Sequence, residues 1–345
     1  MNPLALTVFL ASLAIGTTIT MSSHHWLLAW IGLEINTLAI IPIMTKTPHP
    51  RAIEAATKYF LTQATASTLL LFSALINAWQ TGEWTTIFAS SLTTTPIAIA
   101  LMTKLGLAPM HFWMPEVMQG IPLSAGLILS TWQKIAPMSL LLQIAPLIDL
   151  KLTVTLGLIS ILVGGWGGIN QTQLRKVMAF SSIGHLGWII LIIKFSPQLA
   201  LFNFTLYLLM TLAMFLILMA TNTTKMQDIT TIYTKTPSLA PIMMLILLSL
   251  AGLPPLTGFA PKLLITSELV KQDATLLATL ALISSLLALF FYLRLAYIIT
   301  LTMPPNNSYS SPFWYRQTKV NSLTALLATL ALLIFPLSPT LLLLM

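Results

Sequence analysis

Long apolar runs separated by short polar connections predict eleven membrane-crossing helices. A bilayer core about 30 Å thick needs roughly 20 predominantly apolar residues per helix. That ruler places spans at 3–21, 25–44, 58–79, 93–118, 121–145, 152–170, 176–195, 198–221, 238–265, 274–302 and 321–345. Pro, Asn, Thr or charged residues mark most connections. The longest connection, 303–320, reads MPPNNSYSSPFWYRQTKV. The first run, from Pro3 to about Met21, has no basic segment before it and no small-residue cleavage pattern after it. It reads as a retained helix and not as a signal peptide.

Composition agrees with the pattern. Of 345 residues, 57% are hydrophobic and 7% charged, against about a quarter charged in soluble domains. The chain is therefore expected to be an all-α, polytopic membrane protein. It contains no cysteine, which excludes disulfides, thiol nucleophiles and thiolate metal sites. Its net charge of +8 forms no cluster, so nucleic acid is not an expected partner. The basic residues instead favour one side of the bilayer. Lys46, Arg51, Lys58, Arg175, Lys176, Lys225, Lys235, Arg316 and Lys319 fall on the side of the N-terminus; Lys151, Lys194 and Lys271 fall on the other. By the positive-inside rule the N-terminus faces the cytoplasm or an equivalent space such as a mitochondrial matrix, and the C-terminus faces away from it.

Lys104, Lys134, Lys262, Arg294 and Glu34 fall within spans. A charge at the bilayer centre costs about 2.5–3.5 kcal/mol or more, so such residues face the protein interior, pair or touch water. Arg294 lies near a helix end and reads as snorkelling to the interface. A structural ion pair explains at most two of the others, since one glutamate cannot pair three lysines. At least two lysines are then neutral or hydrated. His111 and His185 are also mid-span, and imidazole changes charge near neutral pH; a hydrogen-bonded core histidine is the competing reading for both. Glu116 reads as structural near an interface, and the remaining carboxylates as solvated. No metal-ligand spacing, phosphate loop or nucleophile triad appears.

Two spans share a further feature. LMTKLGLAPMHFW (101–113) contains Gly106 and Pro109, and AGLPPLTGFAPK (251–262) contains Gly252, Pro254 and Pro255. Proline removes a backbone donor and clashes with the carbonyl four residues back, so both spans are expected to break. In a membrane, such a break is tolerated only where protein or water covers the freed carbonyls. The two spans are the fourth and ninth, five apart, and an odd separation reverses direction across the bilayer. This pattern predicts two inverted five-helix repeats, 1–149 and 150–302, followed by a loop and a last helix over 303–345. Glu34 on the second helix then matches the neighbourhood of His185 on the seventh, and Lys104 matches Lys262. Titratable groups so placed suggest proton movement: Lys104 loads beside Glu34, then passes a proton through water and Lys134 toward Lys262.

The stretches WIGLEINTLAIIP, ATKYFLTQA, KLGLAPMHFWMPEV, STWQKIAP, QTQLRKVMAFSSIGHLGW and LAGLPPLTGFAPK resemble the antiporter-like membrane subunits of respiratory complex I, which are similar to subunits of multisubunit cation/proton antiporters. The resemblance runs through the whole chain. It implies the shortened animal form of the fold, with eleven helices instead of fourteen. It also implies proton-transfer roles for Glu34, Lys104, Lys134, Lys262 and, through the SSIxHxG motif of Ser181 to Gly187, His185. By the same resemblance no cofactor is held here; flavin, iron–sulfur clusters and ubiquinone belong to other subunits. Other membrane-arm and accessory subunits are the implied partners, with a lipid bilayer that includes cardiolipin, in the mitochondrial inner membrane. A free monomer is not expected. Two alternatives remain open on the residues alone: a free-standing cation/proton antiporter, and a scaffold whose buried charges only fix helix packing.

Overall fold

The computed structural model describes residues 3–86, 91–230, 232, 236, 238–301 and 322–340. The 303–320 loop, with Arg316 and Lys319, and Lys235 lie outside the described residues. Among those described, the structure is helix and connection, with two isolated β-bridges, His25–Thr85 and Gln173–Lys225. The chain forms two compact units, Met1–Ser160 and Ile161–Met345.

In the first unit, α1 (Pro3–Ser22) and α2 (Trp26–Met44) pack closely. Gly32 makes this possible: a Cβ there would lie 2.6 Å from Thr20 Cγ2 and 2.9 Å from the Gly16 carbonyl. Small residues allow backbones to approach in this way where lipid supplies no hydrophobic drive. Helix α3 (Pro50–Thr81) begins eight residues before the expected span. Pro50 occupies the first turn and His49 Nδ1 accepts from the Arg51 N–H at 3.2 Å, a cap that hydropathy does not register. Next come α4 (Ser91–Leu105) and α5 (Trp113–Gly120), the two halves of the expected broken span. Lys58 on α3 binds Glu116 on α5 at 2.7 Å and Glu54 at 2.8 Å, so Glu116 has the structural role expected of it.

The fifth span departs from expectation. It is also interrupted, into α6 (Leu123–Ser130) and α7 (Trp132–Ile144), with Thr131 between them at φ −117° and ψ −72°. The Thr131 hydroxyl donates to the Leu127 carbonyl at 2.7 Å, and Pro137 removes a backbone donor one turn beyond. Helix α8 (Leu150–Ile169) follows.

In the second unit are α9 (Leu174–Ile192), α10 (Pro197–Thr221), the short α11 (Met226–Ile229), α12 (Leu239–Ala251), α13 (Phe259–Lys271), α14 (Thr275–Leu301) and α15 (Ser322–Leu333). The Gly164–Gly168 end of α8 belongs to this unit. A Cβ at Gly164 would lie 2.6 Å from the Gly184 nitrogen of α9, and one at Gly165 would lie 2.8 Å from Leu287 Cβ of α14. The last helix is shorter than the 321–345 span: it stops at Leu333, and a 3-10 turn, Phe335–Leu337, follows. Pro336 supplies no N–H there and ends the helix; residues 341–345 lie outside those described. Six described helices are long and apolar enough to cross a membrane, and α4, α12 and α15 are shorter apolar helices.

Candidate functional site

Both expected breaks are present, and they are built alike. Helix α4 stops at Leu105 and α12 at Ala251 because Gly106 and Gly252 adopt φ of +81° and +84°, a left-handed conformation that side chains disfavour. The same pair of hydrogen bonds closes each end. Gly106 and Leu107 N–H both donate to the Met102 carbonyl at 3.1 Å. Gly252 and Leu253 N–H both donate to Leu248, at 3.2 and 3.3 Å. Residues 106–112 and 252–258 then form non-helical segments of equal length, containing Pro109 in one and Pro254 and Pro255 in the other. Beyond them α5 and α13 resume.

The lysines occupy different sides of the two breaks. Lys104 lies in the last turn of α4, where the unpaired carbonyl ends favour a cation. Lys262 lies on α13 and reaches back across its break: Nζ donates to the Ala251 carbonyl, the last residue of α12, at 2.6 Å. Gly252 leaves room for that reach, since a Cβ there would sit 2.7 Å from Lys262 Nζ. In the first break the Trp113 indole does the capping, with Nε1 donating to the Thr103 carbonyl at 3.2 Å.

A cavity within the first unit brings Lys104 and Lys134 together. Asn36, Gln63, Trp113 and Gln133 also line it. It offers about 20 Å³ to the centre of a water molecule, room for one. Both lysines are buried. Lys104 Nζ has no hydrogen-bond partner among the described residues, nor do Asn36 Oδ1 and Nδ2, Gln63 Nε2 or Glu34 Oε1. Buried polar atoms are almost always hydrogen-bonded to protein or ordered water. These atoms supply the donors and acceptors that a water in the cavity requires. Glu34 stands beside this cavity: Thr37, which lines it, donates to Glu34 Oε2 at 3.1 Å. Among the described residues no ion-pair contact joins Glu34 to Lys104. Gln133, next to Lys134, fixes α7 to α2 by donating to the Asn36 carbonyl at 3.0 Å.

A second cavity, within the second unit, brings His185 and Lys262 together with Ser181, Trp188, Ser285 and Tyr292. It too offers about 20 Å³ to a water centre. The His185 ring lies 5.7 Å from the Tyr207 ring. Thus each unit gathers two of the expected proton-transfer residues around a water-sized hollow beside its broken helix. The amide side chains Asn36, Gln63 and Gln133 escaped sequence reasoning. Their signal was an uncharged amide inside an otherwise apolar span, beside Glu34 and Lys134 in two of three cases.

Two other residues have plain roles. Arg294 is anchored, since Nη1 donates to the Ile169 carbonyl at 2.9 Å; snorkelling alone does not describe it. His111 Nδ1 lies 3.2 Å from the Pro109 carbonyl inside the first break. Among the described residues no cluster of His, Asp or Glu is arranged to hold a metal ion.

Comparison with known proteins agrees with this architecture. Residues 23–288 match the family model described as NADH:quinone oxidoreductase/Mrp antiporter, transmembrane region, and residues 289–342 match that of the NADH dehydrogenase subunit 2 C-terminus. NADH-ubiquinone oxidoreductase chain 2 of Aquarana catesbeiana is 69% identical over 344 residues, 100% of both chains. Its counterpart in Xenopus laevis is 58% identical over 341 residues, 98% of this chain and 99% of the relative. Among solved structures, a chain of respiratory complex I from Thermus thermophilus with bound aureothin superposes with a TM-score of 0.84 at 27% identity, over 97% of this chain and 80% of that one. A chain of the Mrp complex from Dietzia sp. shares the fold, with a TM-score of 0.81 at 17% identity over 98% of this chain and 79% of that one. With glycine-capped broken helices and buried lysines in the fold that these matches share, the chain belongs to the NADH-ubiquinone oxidoreductase chain 2 family, the antiporter-like membrane subunits of respiratory complex I.

Proposed function

We propose that this subunit carries protons across the mitochondrial inner membrane, driven by NADH oxidation and ubiquinone reduction in other subunits of the complex. The observation that carries the reading is the pairing of titratable side chains around a water-sized hollow in each unit, Lys104 with Lys134 and His185 with Lys262. A scaffold needs no such hollow, because apolar packing fixes helices at least as well as buried charge.

In the first unit Glu34 is the switch. A carboxylate near Lys104 favours its ammonium form, and moving the carboxylate away lowers the lysine's hold on its proton. The released proton passes to water, and Lys134 accepts a proton from water in turn. In the second unit Lys262 and His185 exchange protons in the same manner, with the Ala251 carbonyl holding the Lys262 amine in place. Gly106, Pro109, Gly252, Pro254 and Pro255 keep each break open beside its lysine. The two five-helix repeats run in opposite directions across the bilayer. The N-terminus lies on the matrix side and the C-terminus on the side of the intermembrane space. Flavin and iron–sulfur clusters reside in partner subunits, and lipid including cardiolipin surrounds the assembly.

The test is Lys104→Ala, and separately Lys262→Ala, in the assembled complex reconstituted in vesicles. The expected result is a lower ratio of protons moved to NADH oxidised in a complex that still contains every subunit. An unchanged ratio in both variants would overturn the reading.

A further inference from the structure

Two adjoining surface hollows of the second unit share Arg294 and Ile298. One, of about 430 Å³, is an apolar groove along α14, walled by Phe290, Leu293, Tyr297 and Leu301. Phe290, Tyr297 and Leu301 are all exposed. From Phe290 to Leu301 a helix rises about 16 Å, so the groove follows α14 from its C-terminal end toward the interior of the span. The other hollow, of about 550 Å³, is polar and includes Thr172, Gln173, Lys225 and Thr230. Its floor is fixed: Leu174 N–H donates to the Thr224 carbonyl at 3.1 Å and Met226 N–H to the Thr172 carbonyl at 3.0 Å, pairing the loops before α9 and α11.

We propose that this double hollow holds one anionic phospholipid, with its phosphate between Arg294 and Lys225 and an acyl chain in the groove along α14. Charge complementarity selects the occupant. Among the described residues, two cations and no carboxylate line the polar hollow. The neighbouring Asp228 is turned to the backbone, accepting from Lys225 N–H at 2.9 Å and Thr224 N–H at 3.2 Å. Arg294 donates from Nη1 to Ile169, and guanidinium carries further donors that bind a phosphate in bidentate fashion. Gln173 Oε1 is buried without a hydrogen-bond partner among the described residues, so it suits a headgroup that carries a hydroxyl donor. A zwitterionic lipid would place its ammonium against Arg294 and Lys225. The inference rests on membrane placement alone and is independent of proton transfer by the lysines.

The test uses the intact detergent-solubilised complex and a phosphatidylglycerol bearing a photoreactive diazirine in its acyl chain. After irradiation, adducts are mapped by peptide mass spectrometry. Labelling is expected within residues 286–301, suppressed by excess phosphatidylglycerol but not by phosphatidylcholine. Lys225→Gln is expected to weaken the suppression about tenfold, as loss of one charge-assisted contact does. Arg294→Gln should weaken it at least as much. Because Arg294 also holds the end of α8, the exposed Lys225 carries the test if the arginine variant does not assemble. Equal suppression by phosphatidylcholine, labelling unchanged in Lys225→Gln, or no adduct in 286–301 because a neighbouring subunit covers the groove would each overturn the proposal.

Discussion

Gly252 shows how much one residue decides. It alone combines a left-handed backbone, φ +84°, with the space that lets Lys262 reach the Ala251 carbonyl. Gly252→Ala therefore forces a side chain into a disfavoured conformation, costing about 1–2 kcal/mol, and sets a methyl 2.7 Å from Lys262 Nζ. The expected outcome is faster amide exchange across 248–262 and a lower melting temperature of the complex. Gly184→Ala is the control. A Cβ there meets nothing within 4 Å, and alanine in a helix is at least as stable as glycine. Lys104, Lys134, Lys262, Glu34 and His185 stand out in the sequence as candidates, since a charge or imidazole inside an apolar span has few bland explanations. Asn36, Gln63 and Gln133 do not. An amide in a span is affordable on many helices, and only the fold reveals that three of them face one hollow.

At the scale of elements, Gly and Pro marked the two breaks correctly, but not the interruption at Thr131. There Thr131 leaves the helical conformation at φ −117° and ψ −72°, a local backbone departure that leaves no hydropathy signature. Nor did the polar start of α3 register, because the His49 cap and Pro50 extend that helix beyond its apolar stretch. The corner between α10 and α11 offers a pH test. Partial burial raises the Asp228 carboxyl's affinity for protons, yet the N–H groups of Lys225 and Thr224, the Lys225 charge and the Thr224 hydroxyl together hold it below its ordinary 3.8. A carboxyl depressed on folding adds stability that is present above its unfolded value, about 3.9, and is lost as pH falls through the folded value. Amide protection of residues 224–228 should therefore hold from pH 7 to 5 and fall below about pH 4 once intrinsic exchange is allowed for. Asp228→Ala should lower it between pH 7 and 5 by removing the cap, worth about 1 kcal/mol, and abolish the loss at low pH.

For the whole molecule, the lysines and arginines predict an orientation that hydropathy leaves open. The absence of cysteine makes that orientation directly measurable. A single cysteine at Lys46 should react with an impermeant maleimide from the matrix side of inverted inner-membrane vesicles, and one at Lys271 only from the opposite side. The reverse pattern would overturn the assigned direction. The paired loops at His25–Thr85 and Gln173–Lys225 were not legible in the sequence, because backbone pairing across distant loops has no sequence period. Under the proposed proton transfer, the size of the hollows would also set which ion is carried. Each admits about one water centre, so a sodium ion would have to shed nearly its whole hydration shell to enter. In the first unit it would then meet two lysine amines and no facing carboxylate among the lining residues. A proton needs no such space, because it travels as an exchange of bonds and not as a solvated sphere.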